Sequence, residues 1–319
     1  MKHLSFPSLA KALCFFLLIG IGASSCKKPW VPPGKPKTIY ETIAVDPQFS
    51  ILTAAVNKAG LVNALNTVGK TGLTLFAPDN EAFKAAGFTS LSALQAVPDS
   101  TLKAILLYHV LGSKVEAADI PQASNTAVAT LNGQQVYVTK TTAGKVFVNG
   151  ISVIKANIEC TNSVIHQINR VLLPATGTIV TTAIANPNLS LLVAAVLRAS
   201  QGSTNVAAVL SSAGPFTLFA PVNQAFINAG FADVAAINAA DPNTLTTILT
   251  YHVIAGRIFS SDLSEGLVAP TVNGEKVTVT LSGGPKVKGK SNSAPSNIIA
   301  SDIVTTNGVV HAIDQVLLP

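Results

Sequence analysis

The sequence Thr-Leu-Phe-Ala-Pro occurs twice in this chain, at residues 74–78 and, 143 residues later, at 217–221. Two further segments recur in the same order: the sequence at 108–110 returns at 251–253, and that at 164–174 returns with small changes at 309–319. Ordered landmarks at a nearly constant spacing indicate two copies of a unit of roughly 140 residues, the size of a domain with its own core. We predict copy 1 at residues 38–176 and copy 2 at residues 177–319.

Within each copy, helical spacing comes first and strand alternation follows. The apolar residues from Leu102 to His109 fall on one face of a helix, and Asp79 and Asp241 stand where helix N-caps are expected. Asn132-Gly133 and Asn273-Gly274 adjoin alternating apolar segments, a pattern that predicts β-hairpins in which both turn residues have positive φ. The fold class predicted from these patterns is α+β.

These landmarks resemble the motifs of the fasciclin-like domain family. Its first motif is similar to residues 74–78 with 80–83, its Tyr-His pair to Tyr108-His109 and Tyr251-His252, and its closing motif to residues 307–311 with 316–319. The resemblance implies two tandem fasciclin-like domains, each a β-sandwich or wedge with helices packed around it. It also implies a secreted or surface-attached protein that acts in adhesion or matrix contact, in a family without a shared catalytic activity.

The first 37 residues have the composition of an export signal and a tether. Lys2 and Lys11 precede a short apolar run at 12–22, which is too short to span a membrane and is typical of a signal peptide. The small residues before Cys26 resemble the lipobox of bacterial lipoproteins, although Ala23 stands where Leu is usual. We predict a signal peptide at 1–25, lipidation of Cys26, and a tether rich in Pro and Lys at 26–37.

The formal charge of +6 belongs to this leader and tether. Six of the 21 basic residues precede Glu41, the first acidic residue, and the remaining 15 equal the 15 acidic residues of the chain. A formally neutral body does not steer toward phosphate, so we expect no nucleic-acid partner. With 48% hydrophobic and 11% charged residues, the chain is not of the disordered class.

The residues with reactive side chains are predicted to be structural. His109 and His252 lie on an apolar helical face, and His166 and His311 lie in apolar strand sequence; Tyr108 and Tyr251 adjoin the first pair. No spacing typical of a zinc site occurs, and we expect neither metal nor cofactor. Cys160 is expected to be a small buried hydrophobic residue.

Two groups of residues are candidates for binding. In some animal members of the family, an Asp-Ile pair before the closing motif is tied to integrin binding; Asp302-Ile303 occupies that place in copy 2, and Asn157-Ile158 in copy 1. Strand packing of the Ile and local hydrogen bonding of the Asp is the alternative explanation. Lys286, Lys288 and Lys290 form a basic cluster, either a solvated hairpin tip or a contact for an anionic polymer.

The sequence therefore predicts a lipid-anchored adhesion or binding protein without catalytic activity. It would be exported to the bacterial envelope, at the outer membrane or cell surface, with extracellular matrix, a cell-surface protein or a polysaccharide as partner. The alternatives are an envelope lipoprotein that captures a carbohydrate or small ligand, and a purely structural envelope protein. An enzyme would require ionisable groups converging in one pocket, which a chain poor in acidic residues does not favour.

Overall fold

The structure is a computed structural model that describes residues 37–67 and 69–319. Residues 36–319 form one compact unit. The four hydrophobic clusters of the described residues all lie inside this unit. The predicted signal peptide, Cys26 and nearly all of the tether lie outside the described residues. No helix in the described part of the chain has both the length and the apolar character needed to cross a membrane.

Copy 1 begins with helices and ends with strands, as its sequence pattern predicts. Its helices are α1 Ile39–Val45, α2 Ser50–Lys58, α3 Val62–Asn66, α4 Asn80–Ala85, α5 Leu91–Gln95 and α6 Asp99–Tyr108. Its strands are β1 Thr74–Pro78, β2 Val110–Leu111, β3 Thr126–Ala129, β4 Gln135–Lys140, β5 Val146–Val148, β6 Ile151–Cys160 and β7 Ser163–Ile168.

Copy 2 repeats this order of elements. Its helices are α7 Ile179–Ile184, α8 Ser190–Ala199, α9 Val206–Ser211, α10 Asn223–Asn228, α11 Val234–Ala239 and α12 Pro242–Tyr251. Its strands are β8 Phe216–Pro221, β9 Val253–Ala255, β10 Val268–Pro270, β11 Lys276–Thr280, β12 Lys286–Lys288, β13 Ser296–Thr305 and β14 Gly308–Ile313.

Each copy has its own sheet, in which seven strands are described. The order in copy 1 is β2-β1-β7-β6-β5-β4-β3, and the order in copy 2 is the equivalent β9-β8-β14-β13-β12-β11-β10. Most neighbours are antiparallel, but β1 pairs in parallel with β7, and β8 with β14. The sequence pattern predicts antiparallel strands and does not show these two parallel pairs, because their partners are about 90 residues apart.

The repeated Thr-Leu-Phe-Ala-Pro strand separates two hydrophobic clusters in each copy. In β1, Leu75 and Ala77 pack with the helices, whereas Phe76 points to the other face, among residues of β4 and β5 such as Val138 and Val148. Side chains alternate between the faces of a strand, so this one short segment is buried on both sides. The predicted α+β fold, a sheet with helices packed around it, is confirmed in both copies.

Both predicted N-caps are confirmed. The Asp79 carboxylate accepts a hydrogen bond of 2.8 Å from the N–H of Ala82, and Asp241 accepts one of 2.8 Å from the N–H of Thr244 at the start of α12. Pro242 occupies the first turn of α12, where its missing N–H costs no helical hydrogen bond.

The hairpin prediction is right in position and wrong in turn type. Gly133 has φ of 86°, but Asn132 does not adopt positive φ. Instead, the Asn132 side chain accepts hydrogen bonds from the N–H of Gln134 and the hydroxyl of Thr130, both at 2.8 Å. The Asn side chain closes a longer loop, so only the glycine takes the left-handed conformation. The turn in copy 2 has the same form, with Gly274 at φ of 94°.

Replacing Phe219 by alanine should destabilise copy 2 strongly. Phe219 is 1% exposed and its ring lies 5.7 Å from that of His311, so the change leaves a cavity and should cost about 3–5 kcal/mol. Urea unfolding of the 36–319 unit measures the loss. Ile299→Ala is the control, because Ile299 is 55% exposed and should change the free energy of unfolding little. Equal losses in the two variants would contradict the proposed packing.

Candidate functional site

The imidazole of His109 joins the end of α6 to the segment that follows β7 in copy 1. Its ring is fully buried. Nδ1 lies 2.8 Å from the carbonyl oxygen of Ile105, and the N–H of Leu172 donates to Nε2 at 2.9 Å. Because Nε2 accepts a hydrogen bond, the ring proton must be on Nδ1, which donates to Ile105. Both ring nitrogens are therefore satisfied by the backbone, and the ring is neutral.

His252 makes the same bridge in copy 2. Nδ1 lies 2.8 Å from the oxygen of Ile248, and the N–H of Leu317 donates to Nε2 at 2.8 Å. Burial disfavours the charged ring and lowers the pKa of both His109 and His252 to about 4, while the hydrogen bond to the helix carbonyl acts in the opposite direction.

His166 has the opposite tautomer. It lies on β7, where Nε2 is 2.9 Å from the carbonyl oxygen of Val115 and Nδ1 accepts from the N–H of Asn157 at 3.3 Å. The proton is therefore on Nε2, which donates to Val115. Burial lowers the pKa of His166, with the hydrogen bond to Val115 and the charge of Glu116 opposing that change.

His311 on β14 repeats the arrangement of His166. Its Nε2 lies 2.8 Å from the oxygen of Ile258, and its Nδ1 accepts from the N–H of Asp302 at 3.3 Å. Burial lowers the pKa of His311 as well, although the charge of Asp302 opposes it. All four histidines thus lie where their backbone hydrogen bonds hold loops and strands together.

The two tyrosines of the Tyr-His pairs are also bonded internally. The Tyr108 hydroxyl donates to the oxygen of Gln135 and accepts from the side chain of Asn149, both at 2.9 Å. Burial raises the pKa of Tyr108 to about 12. The Tyr251 hydroxyl donates to the oxygen of Lys276 at 2.6 Å and accepts from the N–H of Lys290 at 2.9 Å.

The Asn157-Ile158 and Asp302-Ile303 pairs lie at equivalent bulges in β6 and β13. The strand register shifts just before Ile158 and just before Ile303, and Asn157 and Asp302 have φ of 57° and 66°. Their side chains accept hydrogen bonds from equivalent N–H groups, that of Ala117 at 2.9 Å in copy 1 and that of Ser260 at 2.7 Å in copy 2. Ile158 and Ile303 each pack, partly buried, against the helix-side cluster of their own copy.

The Asp302 carboxylate also contacts copy 1, a role that its sequence position does not indicate. Its side chain is 1% exposed, and it accepts a hydrogen bond of 2.8 Å from Arg170. Gly150 permits this approach, since a Cβ there would lie 2.7 Å from the carboxylate. In this arrangement the carboxylate is bonded within the chain and is not presented to an external partner. Its ion pair with Arg170 is an addition to the local hydrogen bonds that the sequence predicts.

A second set of contacts completes the junction between the copies. The Arg257 guanidinium lies 4.0 Å from the ring centroid of Tyr137 on β4, and the ring of Phe259 lies 6.0 Å from it. The Asn125 side chain donates to the oxygen of Arg257 at 2.9 Å and to the carboxylate of Asp262 at 3.1 Å. An ion pair, a cation–π contact and hydrogen bonds therefore connect the two copies.

Two of the three clustered lysines, Lys286 and Lys288, lie on a strand, and Lys290 lies in the turn that follows it. Lys286 and Lys288 are the ends of β12 and are paired with Thr280 and Thr278 of β11, while Lys290 lies 3.3 Å from Glu275. Val287 between them is buried, so the side chains of Lys286 and Lys288 point to the outer face of the sheet. The side chains of these lysines are available to a partner, whereas the Asp302 carboxylate is not.

A cleft of about 350 Å³ lies between the two copies beside the Arg170–Asp302 pair. Its walls are mainly apolar and come from α4, from β13 and from the segment 170–176 that follows β7. The Thr182 hydroxyl that lines it has no hydrogen-bond partner among the described residues. Cys160 lies elsewhere, buried beside the Thr42 hydroxyl at 3.3 Å, and burial raises the pKa of its thiol. Among residues 37–67 and 69–319, no three His, Cys, Asp or Glu side chains are placed to hold a metal ion.

A family model described as the fasciclin domain matches residues 47–174 and again residues 188–319. The chain belongs to the fasciclin domain family. The histidines and tyrosines described above therefore lie in the motifs of two fasciclin domains, and in both domains these side chains hold the fold together.

Several relatives share part of the chain. Protein sll1483 of Synechocystis sp. is 40% identical over 144 residues, which is 44% of this chain and 73% of that protein. Transforming growth factor-beta-induced protein ig-h3 of Sus scrofa is 27% identical over 253 residues, 79% of this chain but only 35% of the relative. A solved FAS1 domain pair from the insect cell adhesion molecule fasciclin I is similar at 19% identity and a TM-score of 0.41, covering 88% of this chain and 96% of that one.

Sequence reasoning missed the residues that join the two fasciclin domains. Tyr137, Arg170 and Arg257 were not among the candidate residues that the sequence motifs indicate. The sequence feature that marks the junction is a difference between the two copies. Arg257 and Phe259 stand where copy 1 has Lys114 and Glu116. Internal comparison of the repeats, position by position, points to these sites.

The buried histidines predict a defined loss of stability in acid. Above pH 6.5 both the folded and unfolded rings are neutral and the stabilisation is complete; as the pH falls from 6.5 toward 4, only the unfolded ring takes up a proton. The free energy of unfolding should therefore fall by on the order of 3 kcal/mol for each of His109 and His252 by pH 4. Urea unfolding of the 36–319 unit between pH 7.5 and 4.5 measures this. His252→Leu should be less stable at pH 7 and show a shallower decline, and parallel curves would disprove the assignment.

The contact between Asp302 and Arg170 can be separated from the role of Asp302 in its own loop. Asp302→Asn keeps an acceptor for the Ser260 N–H, as Asn157 does in copy 1, but loses the ion pair, and should cost about 1–3 kcal/mol. A double-mutant cycle with Arg170→Met measures the coupling between the two side chains. Asn157→Asp is the matched control in copy 1, where no such arginine lies, and should show no coupling to Arg170→Met. Additive losses for Asp302 and Arg170 would refute the contact.

Proposed function

We propose that this protein is a lipid-anchored surface protein of the bacterial envelope that works in adhesion by binding and carries out no catalysis. The observation that supports this most directly is the state of the four histidines of the fasciclin domains. Each of these rings is neutral, buried and hydrogen-bonded to the backbone through both nitrogens, so none presents a free nitrogen to a substrate. The only other described thiol or imidazole candidate, Cys160, is buried with a raised pKa.

Binding then falls to the outer surfaces of the two domains. The junction holds them together through Arg170, Asp302, Tyr137 and Arg257, so a partner meets two domains in a defined arrangement. A rigid pair loses little conformational freedom on binding, and several anchored copies on one cell give avidity toward a repetitive partner. Extracellular matrix, a cell-surface protein or a polysaccharide is a partner of this kind.

The anchor is part of the proposal. Cys26, the Pro- and Lys-rich tether and the signal peptide at 1–25 would hold the domains at the outer membrane or cell surface, since acyl chains contribute about 0.8 kcal/mol for each buried CH₂. A permanent attachment is what adhesion requires of such a protein, because a freely released domain pair transmits no force to the cell.

Fractionation and adhesion assays on cells test both parts. Cys26→Ala should move the protein from the membrane fraction to the soluble fraction and reduce adhesion to the level of a deletion strain, several-fold below wild type. Cys160→Ala is the matched control, because this thiol lies inside copy 1; it should leave both fractionation and adhesion unchanged.

The two possible failures are distinct. A Cys26→Ala protein that stays in the membrane fraction would refute the anchor, and a deletion strain that adheres like wild type would refute the adhesive role.

Capture of a small ligand is the second candidate function, and the cleft between the copies favours it. Its volume of about 350 Å³ lies within the range of small-molecule sites, and Arg170, Thr182 and Ser301 supply polar groups to mainly apolar walls. A glycan or metabolite whose binding is abolished by Ala86→Trp, which fills the cleft, would select this function over adhesion.

A further inference from the structure

The junction between the copies uses two surfaces that every fasciclin domain of this chain possesses. One is the outer face of the strand that contains Tyr137, which we call the strand face. The other is the loop that follows the short strand after the Tyr-His pair, which contains Arg257 in copy 2 and which we call the clasp loop. In the junction, the strand face of copy 1 holds the clasp loop of copy 2 through the Arg257–Tyr137 contact of 4.0 Å.

The two clasp loops have the same backbone structure. The hydroxyl of Thr74 donates to the oxygen of Ser113 and accepts from the N–H of Val115, and Thr217 does the same with Gly256 and Ile258. The N–H of Glu116 bonds the carboxylate of Asp119 at 3.0 Å, as Phe259 does with Asp262 at 2.8 Å. Lys114, Glu116 and Asp119 are therefore the copy 1 equivalents of Arg257, Phe259 and Asp262.

Among residues 37–67 and 69–319, one surface of each kind has no side-chain contact with the other copy: the clasp loop of copy 1 and the strand face of copy 2. The clasp loop of copy 1 has an acidic surface. Lys114 pairs with Glu116 at 2.6 Å, and the charges of Glu159 and Asp119 also act on Lys114. The Lys140 ammonium group also lies at this loop, where it donates to the backbone oxygens of Ala117 at 2.7 Å and Ile120 at 3.0 Å. Three carboxylates therefore stand against two ammonium groups, and the Glu116 side chain is 37% exposed.

The strand face of copy 2 has the opposite charge. Val277, Val279 and Val287 point into the core, so the alternate residues of β11 and β12 point outward; they are Lys276, Thr278, Thr280, Lys286 and Lys288, with Lys290 beside them. Thr278 holds the place that Tyr137 has in copy 1, because Thr278 pairs with Val268 as Tyr137 pairs with Ala127. Two carboxylates border the four lysines, Glu275 beside Lys290 and Glu265 beside Thr280.

We propose that these two surfaces bind each other between molecules, so that the clasp loop of copy 1 in one chain docks on the strand face of copy 2 in another. The occupant of the lysine face is a second copy of this chain. The contact continues the junction already present within the chain, with an acidic loop and a basic face in place of the Arg257–Tyr137 contact. Because the two surfaces differ, the association is head-to-tail and open-ended, and it gives short filaments in preference to a closed dimer.

The proposal fixes how the association depends on conditions. Exposed charges of opposite sign accelerate and orient docking, and their attraction is screened when the Debye length falls from about 10 Å at 0.1 M to about 3 Å at 1 M salt. Association should therefore weaken at least tenfold between 0.05 and 0.5 M NaCl. A hydrophobic contact would not weaken in this way.

Sedimentation velocity of the 36–319 unit provides the test, with a melting curve for each variant to establish that it is folded. The face variant is Lys286→Glu with Lys288→Glu, and the loop variant is Glu116→Lys with Glu159→Lys. Asp119 is left in place because it caps the clasp loop. Wild type should form species larger than a dimer as its concentration rises at low salt, and each variant alone should remain monomeric.

Mixing the variants makes the test specific. The face variant keeps its clasp loop and the loop variant keeps its strand face, so an equimolar mixture should give one-to-one dimers and nothing larger. A chain with all four changes should associate again, because its two charges are exchanged. A wild type that is monomeric at every salt and protein concentration overturns the proposal, as does association that persists in both variants. Binding of a monomeric wild type to acidic polysaccharide through the same lysines would assign the face to that partner instead.

Discussion

A neutral imidazole buried between a helix end and the segment that follows the last strand is the interaction on which each domain depends. His109 and His252 receive a backbone N–H on one nitrogen and donate to a helix carbonyl with the other, so one ring satisfies two backbone groups that would otherwise be buried without partners. A charged ring would lose the acceptor and bury a cation. The fold therefore fixes both the protonation state and the tautomer of these residues.

His166 on β7 and His311 on β14 follow the same principle within the sheet. Each joins a clasp loop to the bulge of the neighbouring long strand, and the bulge residue in turn caps the loop, with Asn157 in copy 1 and Asp302 in copy 2. The exchange of an amide for a carboxylate at this position keeps the cap and adds a charge. That added charge meets Arg170 and holds the two domains together. The residue that caps the loop within a domain thus also joins the two domains, through one amino-acid difference between the copies.

The sequence predicts the internal structure of each domain well, because the sequence patterns involved are local or repeated. The caps at Asp79 and Asp241 follow from hydrogen bonds within one helical turn, and the structural role of the histidines follows from the apolar residues beside them. The parallel pairing of β1 with β7 is not predictable in this way, because it depends on long-range topology. The turn at Asn132 differs from the predicted turn type because an Asn side chain closes the turn that a left-handed backbone would otherwise form. The junction is not predictable from the sequence for a further reason. Arg170 and Arg257 contact groups more than 100 residues away, and contacts at that distance produce no periodic sequence pattern.

The tautomers of the four core histidines provide the most direct test of the account, because the structural role it assigns to these residues excludes a free imidazole nitrogen. Long-range ¹H–¹⁵N NMR of the 36–319 unit at pH 6 distinguishes a protonated from an unprotonated ring nitrogen. The account predicts four neutral rings, with the proton on Nδ1 in His109 and His252 and on Nε2 in His166 and His311. Rings that are charged at pH 6, or that exchange between tautomers, would show that these histidines are accessible and would contradict it.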